Sequence, residues 1–163
     1  MTSPTVTAIV CAYTFQRLDD TFLAIESLRR QSCPPHQIVL AIDNNAELYE
    51  RFKADLTDVT VLLNDRIRGL SETRNVAVRA ATGDLVAFLD DDAEAEPDYL
   101  EKLVPLFDDA NVVAVTGQAV PAWPDGSAPY WFPDEYDFII GCSAHNKLML
   151  QGQSEVRNVT GSC

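Results

Sequence analysis

Leu85-Val86-Ala87-Phe88-Leu89 runs without interruption into Asp90-Asp91-Asp92. A short continuous apolar run reads as a strand covered on both faces, the habit of parallel sheets, because a half-exposed strand would alternate. Similar runs precede it at Val6 to Tyr13, Ile38 to Ile42 and Val59 to Leu63. Each ends in polar residues: Tyr13-Thr14, Asp43-Asn44-Asn45, Asn64-Asp65, and the Asp triplet. Open parallel sheets bind ligands outside the carboxyl ends of their strands, so polar endings repeated along one edge mark a site.

The segments between the runs have helical character. Leu18, Phe22, Ile25 and Leu28 form one stripe, with Asp19 and Asp20 in the first turn and Arg29 and Arg30 in the last. That charge order suits the helix dipole, and Pro34-Pro35 ends the element. Further helices are predicted over Ala46 to Leu56, from an N-cap at Ser71 to Thr82-Gly83, and from Pro97 as first helical residue. The last would turn Leu100, Leu103, Val104 and Phe107 inward, and a fifth strand is predicted at Val112 to Thr116. The alternating order predicts an α/β, Rossmann-like fold: a mostly parallel central sheet flanked by helices, with right-handed crossovers. From Gln118 onward the pattern weakens, and Pro121, Pro124, Pro129 and Pro133 punctuate an aromatic stretch from Trp123 to Phe138. That stretch suits either an acceptor pocket or the packing of a covering flap.

The 163 residues hold 25 Asp and Glu against 12 Lys and Arg, a net charge of −13. Such a surface excludes general nucleic-acid binding, which needs a basic face. With three Lys and nine Arg, the imbalance fits a high-salt proteome or GC-rich codon usage equally. No apolar run approaches the ~18 residues of a membrane helix, and the N-terminus lacks the basic region of a secretory signal. The expected location is therefore cytoplasmic. Peripheral association with the cytoplasmic face of the membrane stays open, although no amphipathic basic helix argues for it. Cys11, Cys33, Cys142 and Cys163 lack zinc-type spacing and read as free thiols. Asn158-Val159-Thr160 matches a glycosylation acceptor by chance on this reading, and His36 and His145 read as ordinary histidines.

A phosphate ligand would need a cation between itself and this acidic chain. Glu94, Glu96 and Asp98 flank the Pro97 helix and read as dipole-capping acids. The triplet demands more. If the backbone stays extended, Asp90 and Asp92 face one cleft, roughly 6.6 Å apart, and Asp91 points elsewhere. Adjacent carboxylates repel unless a cation compensates, and magnesium-type sites use one or two carboxylates plus substrate phosphates. A glycosidase pair fits poorly, because its carboxylates must flank the bond from opposite sides. Arg66, Arg68, Arg74 and Asn75 lie around the start of the Ser71 helix, where guanidinium groups and a helix N-terminus suit a diphosphate. Neither GxGxxG nor GxxxxGK[ST] occurs.

The ordered set of Gly69-Leu70-Ser71-x-x-Arg74-Asn75 and Gly83-Asp84-x-x-x-Phe88-Leu89-Asp90-Asp91-Asp92 resembles the nucleotide-sugar half of family-2 inverting glycosyltransferases with the GT-A fold. The likeness covers residues 5 to 120, and later stretches look like a subgroup acting with polyprenyl- or dolichyl-phosphate-linked sugars. It implies a nucleotide-sugar-binding subdomain over residues 1–120, and over 121–163 the start of an acceptor-side region that continues beyond Cys163. It implies that Tyr13 and its backbone neighbour Ala12 border the nucleobase, Asp43 bonds a uracil-type edge and Arg74 lies near base or diphosphate. Asp90, with Asp91 beside it, would contact the ribose side, and Asp92 would hold Mn²⁺ or Mg²⁺. The implied reaction is metal-assisted sugar transfer with inversion from a UDP- or GDP-linked donor to the hydroxyl of a lipid-linked sugar or saccharide. The general base would lie beyond Cys163. Cys11 stands where the family usually has Pro, and Thr14 where it often has Asn. Competing readings are a Mg²⁺-binding phospho-receiver, which wants an acid pair after the first strand and a lysine after a late one, and a non-catalytic nucleotide-binding fragment.

Overall fold

A computed structural model describes residues 3–123 and 125–133 of the chain. Four strands form one parallel sheet: β1 (Val6–Ala12), β2 (Gln37–Asp43), β3 (Thr60–Asn64) and β4 (Leu85–Asp90), in the order β3-β2-β1-β4. The helices between them are α1 (Leu18–Arg29), α2 (Ala46–Asp55) and α3 (Leu70–Ala80). A short α4 (Tyr99–Leu103) runs on as a 3₁₀ turn to Asp108.

Alternation along the strands assigns the helices to faces. Ala8, Val10 and Ala12 of β1 join Leu40 and Ile42 of β2 under Ala24, Ile25 and Leu28 of α1 and Leu48, Phe52 and Leu56 from α2 and its end. There the rings of Phe22 and Phe52 meet at 5.1 Å. Ile9, Val39 and Ala41 face the other way, under Ala77 of α3. The chain steps outward from β1 through β2 to β3 with helices on one face, then crosses back to β4 with α3 on the other. A change of direction with a change of face is what right-handed crossovers require. It leaves the switch point of the sheet between β1 and β4, where Cys11 stands in register with Asp90.

Gly83 fixes how closely β4 approaches β1. A Cβ there would lie 2.7 Å from the Thr7 backbone nitrogen. Its own N–H donates to Thr7 Oγ1 at 2.9 Å, and Asp84 accepts from the Thr5 N–H and hydroxyl, each at 2.8 Å.

Several expected boundaries move. Residues 112–116 form no strand, Val113 is 91% exposed, and the only described neighbour of β4 is β1. An apolar run becomes a strand only when a neighbouring backbone takes its hydrogen bonds, and no described strand stands beside this one. α3 starts at Leu70 behind Gly69, not behind Ser71, and ends at Ala80, because Thr82 and Gly83 bond to Gln37 and Thr7 instead. Pro97 precedes α4 rather than opening it. Its carbonyl accepts from Ser32 N–H at 2.7 Å, and Gln31 Oε1 accepts the Leu100 N–H at 2.9 Å, so the segment that follows α1 caps α4. Of the three acids expected to cap this helix, Glu94 pairs with Arg30 and Asp98 with Lys102, and Asp98 makes no side-chain cap bond although it stands at the cap position.

Candidate active site at the carboxyl edge of the sheet

The strands deliver their polar endings to one edge. β1 ends in Ala12, which is buried, and passes to Tyr13, half-exposed, whose carbonyl accepts from Asn45 Nδ2 at 3.1 Å. Thr14 Oγ1 then accepts the Gln16 N–H at 3.2 Å and caps the 3₁₀ turn Phe15–Arg17, the same service an Asn would give. β2 ends in Asp43. Asn44 follows with φ +50°, a conformation Asn tolerates, and this sharp bend lets Asn45 Oδ1 cap α2 through the Leu48 N–H at 3.0 Å.

β4 carries the acids. The strand stops at Asp90, and the Ala93 N–H bonds back to the Asp90 carbonyl at 3.2 Å, so the backbone turns where extension was expected. The triplet therefore divides differently. Asp90 accepts from Arg74 Nη2 at 3.2 Å, while Arg17 spans the other two, Nη1 to Asp91 at 2.8 Å and Nη2 to Asp92 at 3.0 Å. Asp91 is the buried member, its side chain 5% exposed against 45% for Asp92. Burial pushes the Asp91 carboxyl above the ordinary range and Arg17 pulls it back; Asp90 is likewise raised by burial, with Arg74 opposing. Arg74 also lies over the Phe88 ring at 5.1 Å, so its charge is held from below by an aromatic face. Beneath them Cys11 has its thiol pushed up to about 12, chiefly by burial, and stays protonated at neutral pH.

The loop into α3 is tied to β2. Both Asp43 oxygens accept the Gly69 N–H, at 3.1 and 3.0 Å, and Asn64 Nδ2 reaches Asp43 Oδ1 at 3.2 Å. The edge expected to receive a nucleobase thus carries internal bonds of its own. Arg66 and Arg68 sit exposed in this loop. Arg74 lies in the second turn of α3, and Asn75 bonds to Glu72 at 3.2 Å instead of joining the cleft.

The structure thus gathers Ala12, Tyr13, Asp43, Arg74, Asp90, Asp91 and Asp92 along one edge. Sequence reasoning missed Arg17 and Thr73, and read Asn64 only as one of the polar strand endings. The one hint of Arg17 was the uncompensated charge of the triplet. Among the described residues no three His, Cys, Asp or Glu side chains already surround a point that would hold a metal. Cys142, Cys163, His145, the Asn158 acceptor pattern and most of the 121–163 region lie outside the described residues. Within that region Trp123 and Trp131 pack edge-on against Phe132, at 5.3 and 6.1 Å. A cavity of about 300 Å³ bordered by Arg29, Pro34, His36 and Asp58 opens at the opposite end of β2, and its Arg29 and Asp58 are already paired. Among the described residues no helix is long and apolar enough to cross a membrane.

The chain is similar to known proteins. The chain is 36% identical over 161 residues to the glucosyl-dolichyl phosphate glucuronosyltransferase of Haloferax volcanii, covering 96% of this chain and 50% of that protein. It is 33% identical over 109 residues to the succinoglycan biosynthesis protein ExoO of Rhizobium meliloti, covering 66% of this chain and 31% of that one. The chain therefore spans about half the length of its first relative, or less of the second. Among solved structures, S. aureus TarS 1-349 superposes with a TM-score of 0.51 at 22% identity, over 72% of this chain and 38% of that chain, and was also solved with UDP. That likeness fixes the fold as GT-A. With the pattern described as Glycosyl transferase family 2 matching residues 8–160, and the acids of β4 meeting the end of β1 at the switch point, the chain belongs to glycosyl transferase family 2.

Proposed function

We propose that this chain binds the donor of an inverting, metal-assisted glycosyltransferase, a nucleoside diphosphate sugar linked through UDP or GDP. One observation carries the reading: at the switch point between β1 and β4, Tyr13, Arg74 and the Asp triplet meet on one edge, with Asp43 one strand away. Family membership favours this over the phospho-receiver, which wants an acid pair directly after β1, where this chain has Tyr13-Thr14.

The residues divide the task by their chemistry. Tyr13 offers an exposed ring beside the backbone of Ala12 for a nucleobase, and Asp43 offers a carboxylate to a base N–H. Asp90 and Asp91 face the ribose side, and Arg74, Arg66 and Arg68 supply donors and positive charge for a diphosphate. Asp92, with its exposed carboxylate, is the metal ligand in this reading. The chemistry of Asp92 fits a hard cation: it is a carboxylate, and its side chain is 45% exposed at the rim of the triplet. When bound, Mn²⁺ or Mg²⁺ supplies positive charge to the departing diphosphate.

Residues 1–120 serve as the donor side and 121–163 begin the acceptor side. The name of the Haloferax relative supports a lipid-linked sugar as acceptor, a saccharide being the alternative, and hence action at the cytoplasmic face of a membrane. Calorimetry with UDP and GDP, each with and without Mn²⁺, tests the donor reading. Binding should need the metal, and Asp92→Ala should abolish that dependence. Equal nucleotide binding with and without Mn²⁺ in both proteins would refute the metal role.

A further inference from the structure

Asn64 is a fully buried polar residue of the carboxyl edge, 1% exposed at the last position of β3. Its two Nδ2 hydrogens are shared among three acceptors: Asp43 Oδ1 at 3.2 Å, the Ile67 carbonyl at 2.7 Å and Thr73 Oγ1 at 3.0 Å. Its Oδ1 takes the Arg66 N–H at 3.3 Å. Donor and acceptor partners so placed leave the amide only one orientation.

The bonds close a ring. Asn64 donates to the Thr73 hydroxyl, which donates to the Gly69 carbonyl at 3.0 Å; the Gly69 N–H donates to Asp43, which also accepts from Asn64. Gly69 sits inside at φ 132° and ψ 151°, a backbone region reserved to glycine, with nothing within 4 Å of where a Cβ would stand. The ring, not packing, demands the glycine. It couples the direction of the Asp43 carboxylate to the start of α3, and α3 carries Arg74.

We infer that Asn64 and Thr73 are positioning residues for nucleotide binding: without touching the ligand, they hold Asp43 and the 65–69 loop in the binding geometry. The inference rests on the donor reading above. A buried amide and a buried hydroxyl are both committed to this one loop: Asn64 bonds Ile67 and Arg66 of it, and Thr73 bonds the Gly69 carbonyl. Buried polar groups have to be bonded, but a plain loop would need only its own turn bonds.

The test uses this chain with UDP and Mn²⁺. Asn64→Leu keeps the branched shape and removes the amide; Thr73→Val keeps the shape and removes the hydroxyl; Thr73→Ser keeps the hydroxyl. Calorimetry should show about tenfold or weaker UDP binding for Asn64→Leu and Thr73→Val, with Thr73→Ser restored, as expected for losing bonds that hold a charged group. The Gly69 amide resonance, shifted downfield by its carboxylate acceptor, should move upfield in the first two and return in Thr73→Ser. Unchanged UDP affinity in a folded Thr73→Val protein whose Gly69 resonance has moved would overturn the inference and leave the ring a purely structural device. A wild-type chain that binds neither UDP nor GDP would overturn the donor reading itself, a result distinct from the first.

Discussion

Replacing Arg17 by Met probes the charge balance of the site most directly. The substitution keeps an unbranched apolar stem on the turn before α1 and removes the guanidinium shared by Asp91 and Asp92. Asp92 is well exposed and turns to water at little cost. Asp91 is buried, Arg17 holds one of its oxygens, and its other oxygen has no hydrogen-bond partner among the described residues. Removing one member of a fully buried pair costs about 3–5 kcal/mol. Two features lower that here. Arg17 is itself 39% exposed, and an abandoned carboxylate already raised by burial escapes the full penalty by taking a proton. The expected loss at neutral pH is therefore about 2 kcal/mol, or about 4–8 °C in melting temperature for a chain of this size. Urea denaturation followed by circular dichroism in metal-free buffer measures it. Asp91→Asn in the Arg17→Met background should recover a good part of the loss, giving a coupling of about 1 kcal/mol or more in the double-mutant cycle. Wild-type stability for Arg17→Met, or additive effects of the two changes, would mean that Asp91 does not carry a buried charge held by Arg17.

Two further outcomes follow from the backbone. Gly83→Ala should cost about 2 kcal/mol, because the three atoms its Cβ would meet, within 3.0 Å, all belong to the β1 backbone or its approach and cannot swing away. Gly126→Ala, at φ +73° but with nothing within 4 Å, should cost less, about 1 kcal/mol; chemical denaturation that reverses this order would refute the close-approach argument. Asn45→Ala should cost about 1 kcal/mol through loss of the α2 cap and should free the Tyr13 carbonyl. Hydrogen exchange should then quicken at Leu48 and spare the far end of α2.

The strands were readable because burial on both faces writes them as unbroken apolar runs. Val6 to Tyr13 and Leu85 to Leu89 each fall within a residue of the observed β1 and β4. The same rule misled at Val112 to Thr116, since an apolar run records burial or β preference but not whether a neighbouring strand exists to pair with it. Ser71 misled for a different reason. It has the chemistry of a cap, yet the cap position belongs to Gly69, whose N–H is taken by Asp43 from another strand. In the site, Asp43, Arg74 and the Asp triplet stood out because each closes a run or opens a helix. Arg17 did not, since nothing near it in sequence reveals a partner 74 positions away. Asn64 was visible only as a polar ending; its four bonds depend on a loop geometry that no local pattern encodes.

The order of strands in the sheet also bears on how the molecule assembles. Side chains of β1 and β2 bond across 30 positions, as between Thr7 and Gln37, whereas Thr5 and Asp84 bond across 79. Closing the longer loop costs more chain entropy and is slower, so β1, α1 and β2 can associate before β4 docks against the far side of β1. The Asp triplet travels with β4, and Arg17 waits on the half that forms first. The acidic edge is therefore completed by the last strand to arrive, and a ligand that spans β1 and β4 acts as a clasp on that final step, slowing its reversal.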